Sequence, residues 1–112
     1  MLKKRKLAKD KVRVTFAMPA LEGVGQLYLV GEFNEWSQTA TPMTLAKDGS
    51  WSVALTLEGN REYHYRYVDD KNVWHNDWAA DSYARNMHGT DNSVVSLMNG
   101  DKPRARAKKK QL

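Results

Sequence analysis

The sequence predicts an all-β domain, a β-sandwich of about seven short strands. Apolar and polar residues alternate along most of the chain, and no apolar stripe with helical spacing appears. Turn-forming residues separate these runs at short intervals. With 112 residues, the chain has room for one domain built around one core.

The predicted strands are justified by the pattern of each run. Residues 12–18 alternate until Pro19 stops the run, and residues 26–30 are apolar on both faces, which suits a central strand. Asp48 and Gly49 form a turn before the next run, because these residue types tolerate the positive φ of a tight hairpin. The remaining predicted strands are residues 51–57, 63–68, 73–75 and 93–98.

Segment 76–92 does not fit this pattern. It has 17 residues and no clear alternation, so a long loop is predicted there. Loops of that length are usually functional or disordered.

Charge is divided unevenly along the chain, although its net value is +5. Residues 1–13 contain seven Lys or Arg and one Asp, and residues 101–112 contain six and one. Residues 14–100 therefore have a net charge of −6. A nucleic-acid-binding protein is expected to present positive charge on its folded surface, so the acidic body disfavours that function.

The basic ends are rich in Lys, Arg and Ala, so disordered tails are predicted at residues 1–11 and 99–112, around a sandwich of residues 12–98.

No cysteine is present, which excludes disulfides and thiolate metal sites. No apolar run approaches the ~20 residues of a membrane helix. The amino terminus also lacks the apolar stretch of a secretory signal. We therefore expect a cytoplasmic protein without a membrane partner.

Three tryptophans lie in or beside turns with polar neighbours: Trp36 in "GEFNEWS", Trp74 and Trp78. Trp51, by contrast, alternates with small residues in a strand and is expected to pack in the core. One turn tryptophan could simply cover an end of the sandwich, but three favour an exposed aromatic binding surface. An indole stacks on the C–H face of a sugar ring, while amide, hydroxyl and charged side chains bind its hydroxyl groups. The composition therefore indicates glycan binding.

Enzymatic functions are less well supported by the sequence. His64, His75 and His88 are 11 and 13 residues apart, which is not a metal-binding spacing. No Gly-x-Ser-x-Gly motif and no glycine-rich phosphate loop occurs. Eleven acidic residues in the body make some carboxylate pair inevitable, so such a pair would not identify a glycosidase. We expect no catalytic residue, no metal and no cofactor.

Four motifs occur in a recognisable order: "LYLVGEFNEWSQTATPM", "DGSWSVALTLEGNREYHYRYVDD", "WHNDWAADSY" and "HGTDNSVV". Together they resemble family 48 of the carbohydrate-binding modules. This family includes the domain that precedes the catalytic barrel of isoamylases and glycogen branching enzymes, and the glycogen-binding domain of the AMP-activated kinase β-subunit. The resemblance implies an immunoglobulin-like, early-set β-sandwich that binds α-1,4-linked glucans such as glycogen or starch without cleaving them.

The resemblance also implies a set of carbohydrate-binding residues. Trp36 and Trp74 correspond to the two rings on which glucose units stack, and Arg66 to a basic residue that bonds sugar hydroxyls. His88 stands where relatives have a leucine or phenylalanine that packs into the sugar. Thr90 and Asn92 correspond to polar contacts at the end of the long loop.

Two other functions remain open at this point. The chain could be a structural adaptor whose basic tails bind an acidic partner or, without specificity, nucleic acid. It could also be a targeting or regulatory module that acts in trans with a glucan-processing glycoside hydrolase of family 13 or a branching enzyme.

Overall fold

Two antiparallel sheets pack face to face in the computed structural model, which describes residues 2–98. The first sheet has the strand order β1-β2-β5-β4, and the second has the order β3-β6-β9-β8, with β7 also paired to β6. The predicted immunoglobulin-like sandwich is confirmed. Among the described residues, no helix is long and apolar enough to cross a membrane. The elements are β1 (Leu2–Lys6), β2 (Lys11–Met18), β3 (Leu27–Gly31), a 3-10 helix (Glu32–Asn34), β4 (Thr44–Leu45), β5 (Trp51–Glu58), β6 (Glu62–Asp69), β7 (Trp74–His75), β8 (Ser82–Arg85) and β9 (Asp91–Ser96).

The core between the sheets is rich in aromatic rings. Phe16 of β2 meets Tyr65 of β6 edge-on, with ring centroids 5.0 Å apart, and Tyr65 meets Tyr67 at 5.8 Å. These residues alternate with outward-facing neighbours, which is why the period-2 pattern identified their strands. Trp51 is only 2% exposed, which confirms its predicted place in the core.

Strand β3 lies at the end of its sheet and is not the central strand that its apolar run predicted. Its free edge is instead covered by a returning segment of the same chain. Leu29 N donates to Thr41 O at 2.9 Å, and Met43 N donates to Leu27 O at 2.8 Å. Both edges of β3 are therefore hydrogen-bonded, and four of its five residues are buried although it ends the strand order.

The amino-terminal end differs from the predicted disordered tail at residues 1–11. Leu2–Lys6 form β1 and pair with β2 along their whole length. Lys4 Nζ bonds Asp81 Oδ2 at 2.5 Å and Ser96 O at 3.0 Å, and these bonds connect the two sheets. Charged side chains suit an edge strand, since they discourage pairing with other molecules, so a high charge density did not mean disorder here. The other predicted tail, residues 99–112, lies outside the described residues.

The predicted long loop at residues 76–92 is also divided by a strand. Ser82–Arg85 form β8, which pairs with β9 from Ser82 opposite Val94 to Arg85 opposite Asp91. This strand is largely exposed at the edge of the sheet, so it lacks the apolar alternation that identifies a half-buried strand. The prediction of one structureless loop was therefore wrong, and the segment is reduced to two short connections.

Candidate carbohydrate-binding site

One groove of about 570 Å³ collects all six residues that the sequence singled out as carbohydrate-binding. It lies on the outer face of the second sheet, on the side away from the core. Two further residues, Asn86 and Met87, also line it and were not predicted. The predicted residues in the groove are Trp36, Arg66, Trp74, His88, Thr90 and Asn92.

Trp36 is presented by a tightly bonded turn after β3. Its backbone N donates to Gly31 O at 2.9 Å, and both Glu35 and Trp36 have positive φ, at 57° and 60°. Non-glycine residues rarely adopt this conformation, and such strain is often found at functional sites. The turn thus holds a half-buried indole at the groove instead of folding it into the core.

Asn34 holds that turn in place. Its side chain accepts a hydrogen bond from Gly31 N at 3.0 Å and donates to Leu29 O and to Thr41 Oγ1, both at 3.0 Å. Gly31 is required for a different reason, because a Cβ there would lie 2.7 Å from the carbonyl oxygen of His64. The residues of "GEFNEWS" around Trp36 therefore position its ring.

Arg66 and Trp74 form the floor and one wall of the groove. The guanidinium carbon of Arg66 lies 5.5 Å from the ring centroid of Trp74, a cation–π distance. Arg66 Nε is buried and has no hydrogen-bond partner among the described residues. A buried donor without a partner costs about 1–3 kcal/mol, so an acceptor on a bound ligand would recover part of that energy.

The hairpin that carries Trp74 is organised by Asp69. The Asp69 carboxylate accepts bonds from the backbone N of Lys71 at 2.8 Å and of Val73 at 3.0 Å, and it meets His75 Nε2 at 3.0 Å. Burial opposes ionisation of this carboxyl, but these bonds hold its pKa below the ordinary value. The turn between β6 and β7 is thereby fixed, and with it the position of Trp74 beside Arg66.

The turn between β8 and β9 is organised by Asn86. Its Oδ1 accepts from the backbone N of His88 at 2.9 Å and of Thr90 at 3.2 Å. Its Nδ2 donates to Thr90 Oγ1 at 2.8 Å and to Asn92 Oδ1 at 3.1 Å. Three predicted site residues thus depend on one side chain that sequence reasoning missed. An asparagine at the start of a glycine-containing turn was the available signal.

Asn92 is nearly buried at the inner end of the groove, with 8% exposure. Its Nδ2 lies 3.4 Å from His64 Nδ1, on the neighbouring strand β6. Since the Asn92 Oδ1 also accepts a bond from Asn86, both the oxygen and the nitrogen of this amide have a partner.

Met87 differs from these fixed groups, because its side chain is 92% exposed at the rim of the groove. The sequence offered no sign that this methionine would face the site.

Trp78 was grouped with Trp36 and Trp74 as a turn tryptophan, and the structure separates it from them. It is 69% exposed but does not line the groove.

The preceding residue, Asp77, is buried and accepts bonds from the hydroxyls of Tyr65 at 2.8 Å and Tyr67 at 3.1 Å. Burial beside this carboxylate raises the pKa of both tyrosines, so their hydroxyls stay protonated donors.

The groove combines two indoles, a guanidinium, two primary amides, a hydroxyl, an imidazole and a thioether, and none of these lining residues carries a carboxylate. Such a set provides apolar planes and hydrogen-bond donors and acceptors at one surface. These are the groups that a neutral, hydroxyl-rich ring requires.

The sandwich and the lining of the groove fit a carbohydrate-binding module. The model of the family described as carbohydrate-binding module 48 (isoamylase N-terminal domain) matches residues 21–84, more than half of the chain. The chain belongs to this family, which is a family of non-catalytic accessory domains. The match includes Trp36, Arg66 and Trp74 and ends before the turn organised by Asn86.

Among solved structures, the chain is similar to the enterochelin esterase of Shigella flexneri, with a TM-score of 0.65 and 11% sequence identity. The similarity covers 86% of this chain and 32% of the esterase, so the chain spans about a third of that protein. At this identity the likeness concerns the fold alone. A comparison with curated proteins found no match.

Proposed function

We propose that the protein is a non-catalytic binding module for α-1,4-linked glucans, such as glycogen and starch. The observation that carries this proposal is the convergence of the six residues predicted from the family resemblance in one groove with two half-buried indoles. These residues come from β6, β7, β9 and two separate turns, and they span Trp36 to Asn92 in sequence. Only the folded sandwich brings them together.

Each part of the groove has a chemical task in this proposal. Trp36 and Trp74 stack on the apolar faces of two glucose units. Arg66 lies on the strand between the elements that carry them, since β3 and β7 pair with opposite edges of β6. The buried Arg66 Nε donates to a sugar oxygen, and Thr90 and Asn92 bind hydroxyls at the end formed by β9.

The shape of the site supports an α-linked over a β-linked glucan. α-1,4 chains coil, so neighbouring glucose units present their faces at different angles, whereas cellulose is flat. Here the two indoles lie on opposite sides of β6 and face a groove, not in one row along a strand. That arrangement suits the curved chain.

Affinity should be modest because few rings stack in an open groove. An aromatic contact adds roughly 0.5–1.5 kcal/mol beyond its buried area, and association costs offset much of the total. We expect about −8 to −4 kcal/mol, which corresponds to micromolar to millimolar dissociation constants.

We further propose that the module acts in the cytoplasm and localises a glucan-processing enzyme on its polymer. The family's description as the isoamylase N-terminal domain supports this proposal, since in isoamylase the module is part of an enzyme of this kind. Co-sedimentation of a branching or debranching enzyme with glycogen, with and without this chain, tests this part separately.

The binding proposal is tested by titrating tryptophan fluorescence with maltoheptaose and with cellohexaose, and by retention on glycogen and amylose with cellulose as a control. Trp36→Ala and Trp74→Ala are expected to abolish the response to maltoheptaose with little change in thermal stability. Trp78→Ala is the matched control, because it removes an exposed indole that lies outside the groove. Equal responses to both oligosaccharides, or equal losses in all three variants, would contradict the proposal.

A further inference from the structure

The outer face of the first sheet has an unusual concentration of positive charge. Lys3 and Arg5 of β1 and Arg13 of β2 are all exposed, and the strand register places Arg5 directly opposite Arg13. Arg13 alternates with Val12 and Val14, which are buried in the core, so its side chain points away from the core. We call Lys3, Arg5 and Arg13 the basic face.

The charges of the basic face are not balanced by the protein. Among the described residues, none of the three cations forms an ion pair, whereas the next cation along β2, Lys11, pairs with Glu58. Like charges placed directly opposite each other across two strands are destabilising. A fold that keeps Arg5 opposite Arg13 therefore gains stability when an anion covers both side chains.

We propose that the basic face binds the phosphodiester backbone of nucleic acid without reading its bases. This surface is part of the folded sandwich and not of a flexible tail, and it lies on the side opposite the glucan groove. The proposal is independent of the proposed function, because the groove is formed by the outer face of the other sheet.

The chemistry of the face favours phosphate. An arginine guanidinium presents paired N–H donors that match phosphate oxygens, and two such groups meet here across the strands. Lys3 and Arg5 are two residues apart in an extended strand, about 6.8 Å, which is roughly twice the 3.4 Å rise per phosphate of one strand along the axis of a DNA duplex. Cations with this spacing can follow a line of phosphates.

The neighbouring residues of the face disfavour other occupants. Thr15 lies opposite Lys3, Thr56 lies opposite Arg13, and Ala54 lies opposite Thr15, so small uncharged side chains border the cations on one side. On the other side, Lys11 and Glu58 neutralise each other. This surface offers no aromatic or large apolar centre such as protein interfaces contain. It also offers no apolar side chain to insert into a membrane surface. Without an aromatic ring on which a base can stack, binding should not depend on base sequence.

The test measures the anisotropy of a labelled single-stranded oligothymidylate with the full-length chain over a series of salt concentrations. Non-specific dissociation constants are typically about 10⁻⁴–10⁻⁶ M, and each neutralised phosphate on a single strand adds about 0.7 to the salt slope. The triple variant Lys3→Gln, Arg5→Gln, Arg13→Gln should therefore reduce the slope by about 2. Its folding is checked by the thermal unfolding midpoint, which should not fall, since a like-charge pair has been removed.

The matched control is Lys108→Gln, Lys109→Gln, Lys110→Gln, which lowers the net charge by the same three units but leaves the basic face intact. It should keep most of the salt slope. Equal loss in both triple variants would mean that net charge alone attracts the oligonucleotide, and the proposal would fail. It would fail equally if polyglutamate displaced the oligonucleotide at the same charge concentration, or if anionic vesicles, but not oligonucleotides, distinguished the two variants.

Discussion

Replacing Asn86 with alanine should weaken glucan binding although the residue is not one of the family-motif residues. Its side chain makes four hydrogen bonds, two to backbone N–H groups of His88 and Thr90 and two to the side chains of Thr90 and Asn92. Three of these bonds lie within the turn between β8 and β9, and the fourth connects that turn to Asn92 of β9. Asn86→Ala removes them together and releases three proposed contact residues at once.

The magnitude follows from the cost of ordering these groups on binding. Each rotamer-rich side chain that a ligand must immobilise costs about 0.5–1.5 kcal/mol, so three released side chains weaken binding by about 1.5–4.5 kcal/mol, a factor of roughly 10–2,000. The effect on folding should be smaller, at about 1 kcal/mol, because these bonds lie within one exposed surface turn. Binding should therefore suffer more than stability.

The assay is a maltoheptaose titration by calorimetry, combined with urea unfolding of the same samples. Asn86→Asp should be intermediate, because it keeps the acceptor for the N–H groups of His88 and Thr90 but loses the donor to Thr90 Oγ1 and Asn92 Oδ1. Asn60→Ala is the control, since Asn60 is a turn residue with positive φ that does not line the groove. If Asn86→Ala binds like the wild type, or if Asn60→Ala loses as much affinity, the positioning role assigned to Asn86 is wrong.

Two further predictions concern stability. Trp51→Ala should destabilise the protein by roughly 3–5 kcal/mol in urea unfolding, because the ring is 2% exposed in the core, and a loss below ~1 kcal/mol would contradict that packing. The folded-state pKa of Asp69 is depressed, so its ionised form stabilises the fold above the unfolded value near 3.9, and this contribution is lost as pH falls through the folded pKa. Unfolding free energies measured between neutral and acidic pH should therefore fall more steeply for the wild type than for Asp69→Asn, and parallel curves would refute the assignment.

The strands that sequence reasoning identified correctly are those whose residues divide between core and solvent. In β2, Val14 and Phe16 are buried and alternate with exposed or half-buried neighbours, and β6 follows the same rule from Glu62 to Tyr67. The hairpin turn before β5 was predictable too, since Gly49 has the positive φ of 89° that its residue type suggested. These strands and this turn can be predicted locally, because the burial or the backbone conformation of each position decides which residue type suits it.

The edge strands were not predictable in this way. β1 consists mostly of Lys and Arg, and β8 is exposed along most of its length. Their conformation comes from backbone bonds to β2 and β9, which any residue except proline can make. Composition therefore suggested a tail and a loop where pairing with distant segments produces strands.

The sequence by itself determined which residue types the candidate site contains, since the motifs around Trp36, Arg66 and Trp74 could be read directly. Only the tertiary structure decided how they meet: which indoles share a groove, that Trp78 stands outside it, and that Asn86 positions three of the proposed contacts. The physical reason is that the chemistry of a side chain follows from its residue type alone. Its spatial neighbours depend on the strand register between segments far apart in sequence. A shift of one residue would turn every side chain of a strand to the opposite face.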